Sequence, residues 1–158
     1  YFGHLMSGRF DASKRTLSLI NAPDTIDTVP LATLTNLRAA LVGVAERMDT
    51  SEDVLVLFLT SHGSEDHRLF VGLDPLPLRQ IRPKDLRAAL DDAGIQWRVV
   101  VVSSCYSGGF VEALAVRWNR ANGELAVAIG PLASHEREPT FARFLGDGRD
   151  LDTRAVDP

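Results

Sequence analysis

The chain has 158 residues, 45% of them hydrophobic, and a formal net charge of −4. That length and apolar content suit one domain, 1–158, with a single sizeable core. The charge is spread along the chain and no Lys/Arg-rich stretch could track phosphates, which argues against a nucleic-acid partner. No window approaches the roughly 18 consecutive apolar residues of a membrane span, and the opening YFGHLMSGRF lacks the basic start and apolar run of a signal peptide.

The sequence begins at Tyr1 without an initiating Met, which leaves room upstream for a leader, an anchor or a first structural element. A single cysteine excludes an intramolecular disulfide framework and supplies too few thiolates for a structural zinc site, so Cys105 is a free thiol. The cations are 15 Arg against 2 Lys in an Ala-, Leu- and Val-rich chain, a composition resembling GC-rich bacterial coding.

In chain order, TLSLI at 16–20 is a short apolar run closed by Asn21, Pro23 and Asp24, the signature of a buried strand ending in a turn. Between Thr33 and Met48 apolar residues recur at Leu34, Leu37, Leu41, Val44, Ala45 and Met48, the spacing of an amphipathic helix with Thr33 or Thr35 as cap. The run Val54 to Leu59 predicts a strand covered on both faces, as in a parallel sheet, ending at Ser61-His62-Gly63. Residues 69–72 and 76–81 are short extended pieces of a hairpin around Pro75 and Pro77.

Pro83 opens a helix through DLRAALDDA that stops at Gly94. QWRVVVVSS, Gln96 to Ser104, is a second buried strand and delivers Cys105. Gly108 and Gly109 form a turn, and a helix follows from Phe110 toward Trp118. LAVAI at 125–129 is one more strand and Phe141 to Leu145 a helical turn, in a tail that is otherwise polar and Gly-rich, with no internal repeat or linker. Strand and helix alternate, which implies an open, mostly parallel α/β sheet flanked by helices, whose ligands bind beyond the carboxyl ends of the strands.

Both chemically interesting residues stand at such ends. A thiol becomes a nucleophile when exposed, partly ionised and beside an acid/base group. Cys105 follows a buried strand and precedes a helix, so its own N–H can serve as an oxyanion donor. His62 ends the other apolar strand, and neighbouring parallel strands put the two tips roughly 5–10 Å apart. Imidazole there could protonate a leaving amine, and Gly63 allows close approach of backbone to substrate with its N–H as second oxyanion donor. Alone, a Cys after a valine run is usually an inert buried thiol and a loop His a solvated side chain. Their coincidence at two strand tips is what points to chemistry.

The segments VLFLTSHGSED, Val56 to Asp66, and VVVVSSCYSGGF, Val99 to Phe110, resemble the His-Gly and Cys-x-Ser-Gly blocks of caspase-haemoglobinase cysteine peptidases, with the legumain family the nearest and its bacterial members closest. PLATLTNLRAAL, Pro30 to Leu41, and LPLRQIRPKDLRAAL, Leu76 to Leu90, are similar to that branch as well, so the resemblance covers about the first 117 residues and leaves 118–158 unassigned. It implies a caspase-haemoglobinase-like fold without its first strand, which would precede residue 1 together with an Asn-bearing loop that orients the histidine. It further implies a catalytic dyad of His62 and Cys105, an oxyanion hole from the N–H groups of Gly63 and Cys105, peptide or protein substrates cut after Asn or Asp in legumains, and no metal or cofactor. After Ala115 the family's usual small-residue strand and Ser-Phe-Gly-like segment have no counterpart, nor do the residues of the legumain specificity pocket.

Ser61, Ser64, Ser104 and Ser107 are expected to shape turns. His4, His67 and His135 lie in polar segments, and the charged loop Ser64 to Arg68 reads as solvated. Cysteine-dependent phosphatases need an Arg soon after the Cys, where this chain has Val111; the Gly-x-Ser-x-Gly elbow and the dinucleotide Gly-x-Gly-x-x-Gly are missing. The rival reading is a catalytically inactive member that binds a peptide or partner protein. A metacaspase-like peptidase with basic preference, or a transamidase, stands open within the enzyme class.

Overall fold

The two most apolar segments of the chain lie side by side as parallel strands. The computed structural model describes residues 2–114 and the backbone of residues 124–129. Its elements are α1 (Phe2–Phe10), a 3₁₀ turn (Pro23–Thr25), α2 (Leu34–Ala45), β1 (Val54–Thr60), α3 (Pro83–Asp92), β2 (Trp97–Ser103), α4 (Gly108–Leu114) and β3 (Glu124–Ile129). The strands form a parallel sheet in the order β1-β2-β3, so the fold is α/β with helices packed against a parallel sheet. No helix among the described residues is long and apolar enough to cross a membrane.

Local signals set the helix ends. Thr33 caps α2, its hydroxyl accepting from Asn36 N at 3.2 Å. Pro83 is the first residue of α3, Asp85 accepts from Arg82 N at 3.3 Å, and Gly94 takes the left-handed conformation just beyond the helix (φ +65°). α2 stops at Ala45, short of Met48.

One face of the sheet carries the core. Leu37 and Leu41 of α2, Leu86, Ala89 and Leu90 of α3, and Phe110 and Leu114 of α4 pack with Val100 and Val102 of β2, and Leu55, Leu57 and Leu59 of β1 lie against them. Fully burying side chains such as Leu86, Leu90 and Phe110 contributes about 1.5–3 kcal/mol each. Arg98 is also buried, its guanidinium bonded to Asp91 at 2.8 Å. The other face departs from expectation. Val54 and Val56 are exposed, and no residue of β1 is fully buried; β2 alternates between buried and half-buried residues. A continuous apolar run predicts two covered faces, but among the described residues α2, α3 and α4 share one core. Phe58 is covered from elsewhere, its ring stacking on Phe2 of α1 at 4.3 Å. α1 itself, with two glycines and no buried residue, carried no helix signal.

Residues 16–20 do not form a strand. Leu17 and Ile20 are exposed, and instead of a sheet ladder the chain makes a loop closure. Ile20 N donates to Pro30 O at 3.0 Å, and the Asn21 side chain pairs with both backbone groups of Ala32. A short apolar run encodes extended backbone but not a partner. The hairpin at 69–81 forms in reduced shape: Leu69 and Ile81 exchange backbone hydrogen bonds, and the Gln80 amide bonds both backbone groups of Val71 in place of a further ladder pair. The strand expected at 125–129 is β3, while Phe141 to Leu145 lies outside the described residues.

Candidate active site

The register of β1 against β2 is held at both ends. At the start, Gln96 N donates to Thr50 O at 2.9 Å and the Trp97 indole to Ser51 O at 2.8 Å. At the finish Thr60 pairs with Ser103, and Ser61 N donates to Ser103 O at 3.2 Å. The two strands therefore finish level, and His62 and Cys105 each follow two residues after the last paired residue of their strand.

The turn after β1 and the turn after β2 are in direct contact. A Cβ built on Gly63 would lie 1.8 Å from Cys105 O and 3.2 Å from Ser104 Oγ. Only glycine fits there. The close approach expected of Gly63 is therefore to the Cys105 peptide itself. Gly63 and Leu69 form an antiparallel bridge through their neighbours, with Phe70 N donating to His62 O at 2.9 Å and Ser64 N to Arg68 O at 3.1 Å. That pattern leaves the Gly63 N–H without a backbone acceptor among the described residues. The His62 ring is exposed and meets Phe70 edge-on at 6.4 Å.

Cys105 is a free, half-buried thiol. It sits in a turn, Cys105 to Ser107, and α4 begins at Gly108, so Gly108 and Gly109 are the helix's first residues and not the turn. Phe110, almost fully buried, anchors α4 to the core, and its N–H bonds Ser107 O at 2.9 Å. Of the four serines, Ser61 bonds Phe70 O at 2.6 Å and Ser64 bonds Asp66 at 2.6 Å, both shaping turns as expected. Ser104 does not: its buried hydroxyl has no hydrogen-bond partner among the described residues.

The charged loop is ordered by its own contacts. The Ser64 hydroxyl, and secondarily Arg68 beside it, hold the Asp66 carboxyl below its usual range against the opposing effect of burial. This arrangement also delivers a residue that the sequence reading set aside. His67 Nδ1 lies 2.7 Å from Tyr106 O, and its ring fills the space where Gly109 would carry a Cβ. No local sequence pattern marks it. His4 is exposed on α1, and His135 lies outside the described residues. Among the described residues no cluster of His, Cys, Asp or Glu could hold a metal ion.

Two strand tips in contact, one with His-Gly and the other with a free Cys, are accompanied by a family match: the model of the peptidase C13 family covers residues 31–150. The chain belongs to the peptidase C13 family. No curated protein and no solved structure matches it. The C13 match, the legumain family of cysteine peptidases, takes in both the His62-Gly63 and the Cys105 segments and runs beyond the 117 residues over which motifs could be followed. The C13 family is one of cysteine peptidases, a class whose substrates are peptides or proteins.

Proposed function

We propose that this C13 member is a cysteine endopeptidase working through Cys105 and His62. The observation that carries the reading is the contact between the two strand-tip turns, in which the Gly63 backbone beside His62 packs on the Cys105 peptide. The Cys105 thiolate attacks the scissile carbonyl carbon, and the oxyanion is held by the N–H groups of Gly63 and Cys105. The C–N bond then breaks, His62 protonates the departing amine, and water hydrolyses the thioester to release the acid and restore the thiol. The legumain relationship supports a preference for cleavage after Asn or Asp.

The test is a library of fluorogenic peptides varied at the residue before the scissile bond, run on the protein and on its Cys105→Ala and His62→Ala variants. Cleavage after Asn or Asp that both substitutions abolish, with the far-UV circular dichroism unchanged, supports the assignment. Turnover retained in either variant overturns the dyad. Cleavage after Arg or Lys keeps the dyad and replaces the specificity. No cleavage by the unsubstituted protein, together with a Cys105 that resists alkylation, favours a peptide-binding member without activity.

A further inference from the structure

We propose that His67 is a positioning residue for Cys105, acting through the peptide of Tyr106. The loop after β1 grips the nucleophile turn at two successive carbonyls. Gly63 is packed on the Cys105 carbonyl, and His67 Nδ1 is hydrogen-bonded to the Tyr106 carbonyl at 2.7 Å. A carbonyl oxygen only accepts, so Nδ1 carries the proton and donates.

Three further features belong to this contact. Tyr106 has φ +54°, a left-handed conformation that is an outlier for a bulky side chain and persists only where its surroundings enforce it. His67 is itself left-handed at φ +59°. The third is Gly109, where a Cβ would fall 2.3 Å from His67 Cγ, so the helix leaves a notch that the imidazole occupies. His67 is exposed, and water could satisfy both its ring and the Tyr106 carbonyl; the bond is not needed for solvation. What it sets is the orientation of the Tyr106 peptide, and through it the direction of the Cys105 sulfur and N–H.

The loop that carries His67 is braced by its own contacts. His67 N donates to Ser64 O at 2.8 Å, the Ser64 hydroxyl bonds Asp66, Arg68 N donates to the same hydroxyl at 3.2 Å, and Arg68 pairs with Asp66.

That Cys105 is a nucleophile rests on the peptidase reading, so two readouts are measured in parallel: the second-order rate of Cys105 alkylation by iodoacetamide in the folded protein, and kcat and KM on the best fluorogenic peptide. The variants are His67→Phe, His67→Asn, Tyr106→Gly and the His67→Phe/Tyr106→Gly double, with His67→Leu used if the phenyl ring disturbs the fold. His67→Phe lowers the alkylation rate and kcat roughly tenfold and leaves KM within about twofold, the size expected for one lost hydrogen bond. His67→Asn, which keeps a donor and tolerates a left-handed backbone, stays near the unsubstituted protein. Tyr106→Gly removes the penalty of that conformation and restores most of the loss in the double variant. Unchanged alkylation and kcat in His67→Phe overturn the proposal, as does a double variant no better than His67→Phe. If the alkylation series follows the expected order but no peptide is cleaved, the positioning role stands and the peptidase reading falls.

Discussion

The α-carbon of Gly63 lies against the carbonyl of Cys105, so close that a methyl group there would fall 1.8 Å from the oxygen. The atoms it meets are backbone, at the end of a register clamped from both sides, and cannot give way cheaply. Gly63→Ala therefore forces the two strand tips apart. The expected cost is about 1–3 kcal/mol in urea unfolding, typical of overpacking, with peptide turnover reduced far beyond what the lost stability accounts for. Normal activity in a stable Gly63→Ala protein would show that the tips do not need this contact.

Gly109→Ala carries opposite signs in two places. Alanine in a helix is worth about 1 kcal/mol over glycine, but here the new Cβ meets the His67 ring. Because the overlap reaches His67 Cβ and Cγ, which cannot swing clear, the expected outcome is a lowered midpoint of thermal unfolding, with Cys105 alkylation slowed as in His67→Phe. A stabilised protein whose thiol reacts at the original rate would separate His67 from the site.

The Gln80 side chain substitutes for a strand, its amide bonded to Val71 N at 3.0 Å and Val71 O at 2.9 Å. Val71 is in the core. Gln80→Leu keeps the volume and strands both backbone groups, which costs about 1–3 kcal/mol by urea titration. A smaller loss means that Val71 regains solvent or another partner.

Asp91 ties α3 to β2, accepting from Arg87 Nε at 2.6 Å and from the buried Arg98 at 2.8 Å. Burial works against its charge, but hydrogen bonds from Arg87 and Arg98 outweigh it and hold the carboxyl below its usual range. A depressed folded-state pKa gives stability that is fully present above the unfolded value, about 4, and lost as pH falls through the folded value. Because the carboxylate is partly in solvent, Asp91→Asn is expected to cost only about 1 kcal/mol at neutral pH. The gap between the two unfolding curves should narrow below about pH 4; a gap independent of pH would mean that the ion pair is not its source.

How much was legible follows from how local each signal was. Thr33, Pro83 and Gly94 act on the residues beside them, and the helices they bound appear where their patterns place them. The valine run at 99–102 and the apolar run at 54–59, rich in β-branched residues and bounded by turn residues, form the strands expected of them. The fate of 16–20 depended on a partner strand that the run does not specify, and Asn21 turned it into a loop closure with Ala32. His67 was set aside because a histidine in a charged loop is ordinarily solvated. Only the fold of that loop, tied by Ser64 and Asp66, turns it onto Tyr106.

By itself the sequence determined that two apolar strands of an α/β sheet end in His62-Gly63 and Cys105, because strand formation and the turns that stop it are written in neighbouring residues. The tertiary structure decided which faces of those strands are covered, that Gly63 is spent on the Cys105 peptide, and that His67 reaches the nucleophile turn. These are contacts between residues some 40 positions apart, and their distances are set by register and packing, which no local pattern carries.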